Sequence, residues 1–449
     1  MKSSFPILQI IKREGNLAPY DRDRISTAIF RAMTSLGKKG DRAQAEALAM
    51  DVERALLAAY GADATPSVEE IQDIVEETLM ERGAIKVARA YIIYRNQRAQ
   101  ARAARAYAFE VTDNIPYKKI YEVLRWNMDH GCDSINDLNA LIADGHFPRL
   151  VREVDQRYNE ELAECAAQIM ERQDTIRLVI VAGPSSSGKT TTTAKLSERL
   201  ARVGLGFKAI NLDNYFFDLE QHPRDEFGDY DYEAPQSLDL KLINEHLAAL
   251  LAGETIQAPH YDFKTGRRTL AVESLRLESN HILLLDSLHG LYQDMTRSIP
   301  AEQKFRLYIE TLGQLRAADG AFMRWADNRL MRRMIRDSLH RNSQPETTLT
   351  HWHYVRRSEL KNIIPFIGTA DFLVNSALPY EIPILKHQLF HYFPEAVARY
   401  HQDPSRQDAY IRAKRVYDFL SPLTAIADNT CVPADSLLRE FIGGSRYET

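Results

Sequence analysis

Eight consecutive residues, Gly183-Pro-Ser-Ser-Ser-Gly188-Lys189-Thr190, bring together the types that phosphate chemistry needs. The two glycines let a loop turn its backbone N–H groups inward, the serines add hydroxyls, and Lys-Thr closes the run with a cation and a metal-seeking oxygen. Converging donors suit phosphate oxygens, and a helix starting at the loop adds favourable partial charge. In this arrangement Lys189 reaches the β- and γ-phosphates of a triphosphate and Thr190 ligates Mg2+. The expected contacts to ATP are Gly183, Ser185, Ser186, Ser187, Gly188, Lys189, Thr190 and Thr191.

Such a loop works only between a buried strand and a helix. Arg177-Leu-Val-Ile-Val-Ala182 carries a continuous apolar run, the pattern of a parallel strand covered on both faces, and Thr191 to about Val203 reads as a helix. Further strands are expected at Phe207–Leu212, at His281–Asp286 and at Lys304–Ile309. Strands alternating with helices predict a doubly wound α/β domain with a mostly parallel sheet, whose ligands sit beyond the carboxyl ends of the strands. Two acids stand on that edge. Asp213 follows the second strand and could accept the proton of an acceptor hydroxyl, and Asp286 closes an apolar run in a Walker-B-like position suited to the metal. The alternative for each is a helix cap or a solvated strand-end acid. Arg329, Arg332, Arg333 and Arg336 recur at helical spacing and make one face basic. That face is either a solvated, salt-bridged surface or a mobile lid that closes on ATP phosphates.

The rest of the chain bounds these readings. Its 449 residues predict two or three domains, and a formal net charge of -5 argues against a general nucleic-acid binder. Cys132, Cys165 and Cys431 lie far apart, so neither a disulfide framework nor a CxxC metal site is indicated, and His130 beside Cys132 and Asp133 lacks a full ligand set. No apolar run approaches the roughly 20 residues that span a bilayer, and the first residues lack a signal-peptide pattern, so no membrane partner and a cytoplasmic location are expected. The N-terminal hundred residues read as a short extended start followed by helices. Ile25, Ile29 and Met33 fall on one helix face, Ala43–Tyr60 forms a second helix, and Ser67-Val-Glu-Glu70 is a capping box opening a third with Ile71, Val75 and Leu79. A fourth runs from about Lys86 through Tyr94.

Residues 175–445 resemble the uridine kinase/phosphoribulokinase family in several ordered blocks: the loop, Leu212-Asp213-Asn214-Tyr215-Phe216, Tyr230-Asp-Tyr-Glu233, Pro259-His-Tyr261-Asp262-Phe263-Lys-Thr-Gly-Arg267, His289-Gly-Leu and Arg329-Leu-Met-Arg332-Arg333. The tail Ser436-Leu-Leu-Arg439-Glu-Phe-Ile-Gly-Gly-Ser445 resembles a bacterial branch of uridine kinase-like proteins. The resemblance implies an ATP- and Mg2+-dependent kinase of a small-molecule acceptor, with Asp213 as general base and Lys189 on the transferring phosphate. It implies an acceptor pocket of Asp213, Tyr215, Glu233, Tyr261, Phe263 and Arg267, a metal held by Thr190 and Asp286, and a phosphate lid of Arg329, Arg332 and Arg333. Asp286-Ser287 stands where the family commonly reads Glu-Gly, Glu233 where it has aspartate, and Gly266 where animal uridine-cytidine kinases have a base-contacting histidine. Residues 1–100 resemble the ATP-cone, the nucleotide-binding regulatory domain of ribonucleotide reductases, which implies ATP or dATP as effector near Ile10, Lys12, Arg13, Arg24, Lys86 and Tyr94. The expected organisation is an ATP-cone at 1–106, a helical connector at 107–173 and a kinase domain at 174–449, assembled as a homo-oligomer. The first expectation for the acceptor is a nucleoside. The alternatives are a sugar phosphate or phosphoglycerate-type acid, with Lys264, Arg267 and Arg268 as its cations, or a nucleotide sensor with little transfer activity.

Overall fold

The computed structural model describes residues 7, 9–11, 17–36, 41–61, 64–93, 95, 114–224, 230, 234–262, 265–278, 281–340, 344–401, 403 and 406–447. By its internal contacts the chain divides into two units, Met1–Val111 and Thr112–Thr449.

In the first unit a short antiparallel pair, β1 (Gln9–Ile11) and β2 (Leu17–Pro19), precedes α1 (Arg22–Thr34), α2 (Arg42–Tyr60), α3 (Val68–Glu81) and a helix over 85–93 (α4). Local chemistry sets the helix starts. Asp21 and Asp41 accept backbone N–H groups of the first turns, and Ser67 with Glu70 completes the capping box that the sequence announces. The apolar stripes then close on one core through Ile25, Ile29, Val52, Leu56, Val75 and Leu79.

The second unit opens with α5 (Tyr117–Asp129), α6 (Ile135–Ala143) and α7 (Phe147–Glu171). It continues through β3 (Leu178–Ala182), α8 (Lys189–Ala201), β4 (Gly206–Asn211), α9 (Leu240–Leu251), β5 (Thr255–Asp262), β6 (Arg267–Arg276), β7 (His281–Ser287) and β8 (Lys304–Glu310). Then follow α10 (Trp325–His340), α11 (Pro345–Asn362), β9 (Phe372–Asn375), α12 (Glu381–Leu389), α13 (Tyr392–Tyr400), α14 (Gln407–Leu420) and the short turn α15 (Arg439–Ile442).

Five strands form one parallel sheet in the order β4-β7-β3-β8-β9, while β5 and β6 pair antiparallel beside it in the sequence as a separate hairpin. Side-chain alternation along β3 feeds two cores. Val179 and Val181 join one with α7, α8 and α10, and Leu178, Ile180 and Ala182 join the other with α9. The sequence expects a connector over 107–173, of which 114–173 are described. Residues from Thr112 onward are part of this unit, not a separate connector, because Leu150, Val154, Tyr158, Leu162 and Ile169 of α7 bury one stripe in the core that covers the sheet. The Tyr158 hydroxyl also lies 2.6 Å from Thr192 Oγ1, tying α7 to the start of α8. Among the described residues no helix is long and apolar enough to cross a membrane.

Candidate functional site

Strand register brings the chemistry to one edge. Ala182, the last residue of β3, pairs with Ser287 on one side and Tyr308 on the other, so the Gly183–Thr190 loop springs from the centre of the sheet. Asp286 lies opposite Val181 and Asn211, and Asp213 follows two residues after Asn211. Loop, Asp286 and Asp213 thus leave three neighbouring strands at their carboxyl ends, where the chain crosses from one side of β3 to the other between β7 and β8, the place at which doubly wound sheets bind ligands.

The loop conformation needs its small residues. Gly188 has φ +92° as the residue preceding α8, and Ser186 is held at φ +61°, a strained setting for a side chain with a Cβ. Lys189 folds back, its Nζ donating to Gly183 O at 3.0 Å and Pro184 O at 3.2 Å. Burial pulls its pKa below the ordinary lysine value, with Asp286 and Glu440 acting against that shift. Asp286 is pushed up to about 6, first by burial; Lys189 opposes the shift while Glu440 and Asp213 add to it. Ser186 Oγ, Ser187 Oγ and Thr191 Oγ1 are buried with no hydrogen-bond partner among the described residues, and Thr190 is exposed. Orphaned hydroxyls around a cation fit a phosphate chain, and Thr190 with Asp286 fits a hard divalent ion of the Mg2+ kind.

The arginine face is neither solvated nor an open lid at its first two positions. Arg329 and Arg332 are 1% and 0% exposed. Arg329 pairs with Glu310 at 2.8 Å and with Glu359 at 2.5 and 2.9 Å, and it donates to Ser185 O at 3.2 Å. Arg332 meets both oxygens of Glu381 at 2.6 and 2.8 Å, and donates to Ser376 O at 2.5 Å and Ser186 O at 3.5 Å. Their charges are spent on buried carboxylates, and their remaining N–H groups brace the loop backbone. Arg333 donates to Ser185 Oγ at 3.2 Å and to Asp337 at 3.2 Å. Glu310, Glu359 and Glu381 carry no spacing that would reveal these pairings from sequence.

On the acceptor side Asp213 is exposed in a 3-10 turn over Leu212–Tyr215. With three residues per turn, Leu212 and Tyr215 share the inward face. Tyr215 is accordingly a core residue with its hydroxyl 2.8 Å from His246 Nδ1, which corrects the expectation that it lines the acceptor pocket. Phe216, His222 and Tyr261 form an aromatic cluster instead, with ring centroids 5.5 to 6.4 Å apart. His222 was not anticipated; an isolated histidine outside any motif gives no signal. Arg267 pairs with Asp218 at 3.3 Å and Glu220 at 2.9 Å, so it is a hairpin clasp and not a free pocket cation. Arg268 is likewise held by Asp239 at 3.0 Å. Gly266 turns the hairpin at φ +67° with Leu219 packed over it, so no base-contacting side chain stands at this position.

Of the expected effector residues, Ile10, Arg24 and Lys86 are described. Ile10 sits in β1, Arg24 donates to Asp21 at 3.3 Å on the exposed start of α1, and Lys86 lies on α4. Lys12, Arg13, Tyr94, Glu233, Phe263 and Lys264 lie outside the described residues.

With this geometry in hand, similarity to known proteins falls into two blocks. The model of the phosphoribulokinase / uridine kinase family matches residues 178–380, and that of the ATP cone domain matches residues 8–100. A uridine kinase of Deinococcus deserti is 30% identical over 195 residues, covering 43% of this chain and 84% of the relative. One of Halobacterium salinarum is 27% identical over 172 residues, covering 38% and 67%. A solved structure described as a possible uridine kinase from Bacillus stearothermophilus is 14% identical, covers 48% of this chain and 98% of its own, and has a TM-score of 0.34. The fold and site define a P-loop phosphotransferase with a hydroxyl acceptor. The chain belongs to the phosphoribulokinase/uridine kinase family and carries an ATP-cone domain before the kinase unit.

Proposed function

We propose that this chain transfers the γ-phosphoryl group of ATP to the 5'-hydroxyl of a nucleoside, under control by adenine nucleotides bound to the ATP-cone. The observation that supports the acceptor class is the pairing of the two described arginines on the acceptor side. Arg267 and Arg268, the described cations available to an anionic acceptor, are already paired with Asp218, Glu220 and Asp239. A phosphorylated sugar or acid would have to compete with those carboxylates, whereas an uncharged nucleoside needs no cation. Phe216, the half-buried ring of the cluster with His222 and Tyr261, offers an apolar face that a flat base prefers.

In this reading Asp213 accepts the proton of the acceptor hydroxyl as the oxygen–phosphorus bond forms and the bond to the β-phosphate bridge breaks, releasing ADP. Lys189 offsets the negative charge of the phosphates, and the loop N–H groups and serine hydroxyls orient them. Arg329 and Arg332 act one step removed, fixing the carbonyls of Ser185 and Ser186. Bound Mg2+, held by Thr190 and Asp286, would supply charge neutralisation on the phosphates.

The test is ADP release, coupled to a spectrophotometric readout, across nucleosides, sugar phosphates and glycerates. A nucleoside that raises turnover above basal hydrolysis, with phosphorylated compounds inert, supports the proposal. A preferred acceptor bearing a phosphate sinks the nucleoside reading, and no effective acceptor at all favours a nucleotide-sensing role.

A further inference from the structure

The tail Ser436–Phe441 meets the phosphate loop at two points. A Cβ built on Gly188 would lie 2.6 Å from Leu437 Cδ1, so loop and tail touch there with no room between them. Three residues on, Glu440 Oε2 accepts the backbone N–H of Thr191 at 3.0 Å. Glu440 is 5% exposed, and the described residues give its carboxylate this hydrogen bond but no ion pair.

Thr191 is the third residue of α8, so its N–H has no partner within the helix. An anion is favoured at this positive end of the helix, which is why a buried carboxylate is tolerated there. The same N–H is among the backbone donors with which a loop of this type cradles the α- and β-phosphates. Carboxylate and phosphate need one donor and carry charge of one sign, so each excludes the other. Glu440 is also felt at the centre of the site, where its charge opposes the fall in the Lys189 pKa and adds to the rise at Asp286. Lys189 itself is turned onto Gly183 O and Pro184 O. The loop thus has its donors and its cation occupied by groups of the chain.

Little has to move to free it. Leu437, Leu438 and Phe441 are fully buried, and Ser436 Oγ lies 2.8 Å from the Tyr380 hydroxyl. Arg439 donates to Asn429 O at 2.9 Å and to Val432 O at 2.8 Å. The tail backbone is therefore anchored, and swinging the Glu440 side chain aside is enough to release the Thr191 N–H.

We propose that Glu440 is an autoinhibitory contact of the phosphate site: its carboxylate stands in for a phosphate on the Thr191 N–H, and ATP binds by displacing it. The contact inhibits only where phosphates bind at this loop, as the kinase reading has it, and it is independent of the acceptor's identity. Its effect is to lower the apparent affinity for ATP by the fraction of chains in which the N–H is free.

The test uses the full chain with Glu440→Ala and Glu440→Gln, titrated calorimetrically with ATP plus Mg2+; the loop site is the isotherm lost in Lys189→Ala. The alanine removes charge and acceptor, and should tighten ATP binding at that site by at least about fivefold. The glutamine removes the charge but keeps an oxygen that can accept the N–H, so its affinity should fall between those of the unmodified chain and Glu440→Ala. Without nucleotide, hydrogen exchange of the peptide spanning 188–196 should be faster in Glu440→Ala than in the unmodified chain. With saturating ATP the two should exchange alike, because phosphate then holds the same N–H in both. Unchanged or weaker ATP binding in Glu440→Ala, or weaker binding in Glu440→Gln, overturns the proposal. So does equal exchange without nucleotide, or a difference that persists at saturation, which a merely structural role of the carboxylate would give. If Glu440→Ala does not fold, Glu440→Gln decides: binding tighter by about twofold or more supports the contact, and anything less refutes it. If Lys189→Ala removes no isotherm, the phosphates bind elsewhere and the contact falls with that reading. Neither measurement needs an acceptor, so failure of the nucleoside reading is seen separately, in the screen.

Discussion

At Asp286 burial and two neighbouring carboxylates raise the pKa to about 6, against the pull of Lys189. Because this folded-state value lies above that of the unfolded chain, the proton stabilises the fold. The contribution is complete below the ordinary carboxyl range and is lost as pH rises through about 6. Without metal, Asp286→Asn should therefore raise Tm at pH 7.5 by about 2–4 °C in scanning calorimetry, while weakening Mg2+-dependent ATP binding. A lower Tm would show that the charged carboxylate is already compensated. Asp213 differs in being an exposed acid in the 3-10 turn that follows β4. Asp213→Ala should cut kcat by about 10²–10⁴-fold and leave ATP affinity unchanged by titration; surviving transfer would assign the base elsewhere. Both acids were legible in the sequence because each ends an apolar run. Glu440 was not, since its partner Thr191 lies 249 positions away.

Among the elements, α10 is where sequence and structure differ most. Its arginine spacing marks a basic face, but spacing does not reveal what faces it. Folding brings Glu310 from β8, Glu359 from α11 and Glu381 from α12 against that face and buries the pairs. Removing one partner of a fully buried pair leaves an uncompensated charge. Glu381→Gln should therefore cost about 3–5 kcal/mol by chemical denaturation, and replacing Arg332 and Glu381 together by apolar residues should cost less. A double variant as unstable as the single one would refute that account. From sequence the β5–β6 hairpin reads only as a motif block. Pro259 and the register shift between Ala258 and His260 interrupt the alternation that marks a strand. By contrast, the Ser67–Glu70 box shows in sequence and structure alike because capping is local. Ser67→Ala should lower the stability of the first unit by about 1 kcal/mol, read from its thermal transition.

On the scale of the whole molecule, the ATP-cone unit has its own core, and the family kinase block lies in the other unit. Removing residues 1–111 should reduce the stoichiometry of ATP binding by one site per chain in calorimetric titration. It should also abolish any response of turnover to dATP. An unchanged stoichiometry would mean that the first unit binds no nucleotide.

Sequence by itself determined what depends on near neighbours in the chain: the glycine-and-hydroxyl loop, the apolar strand before it, the acids that end strands, the helix caps and the apolar stripes. Each is set within a few residues by backbone freedom, side-chain alternation or local hydrogen bonds. Tertiary structure alone decided which charges cancel and which residues stand beside the loop. It turned two expected lid arginines into buried braces, moved Tyr215 into the core, joined residues 112–173 to the kinase unit and set Glu440 on Thr191. Those outcomes depend on partners tens to hundreds of positions apart, which meet only when the buried surfaces of sheet and helices close together.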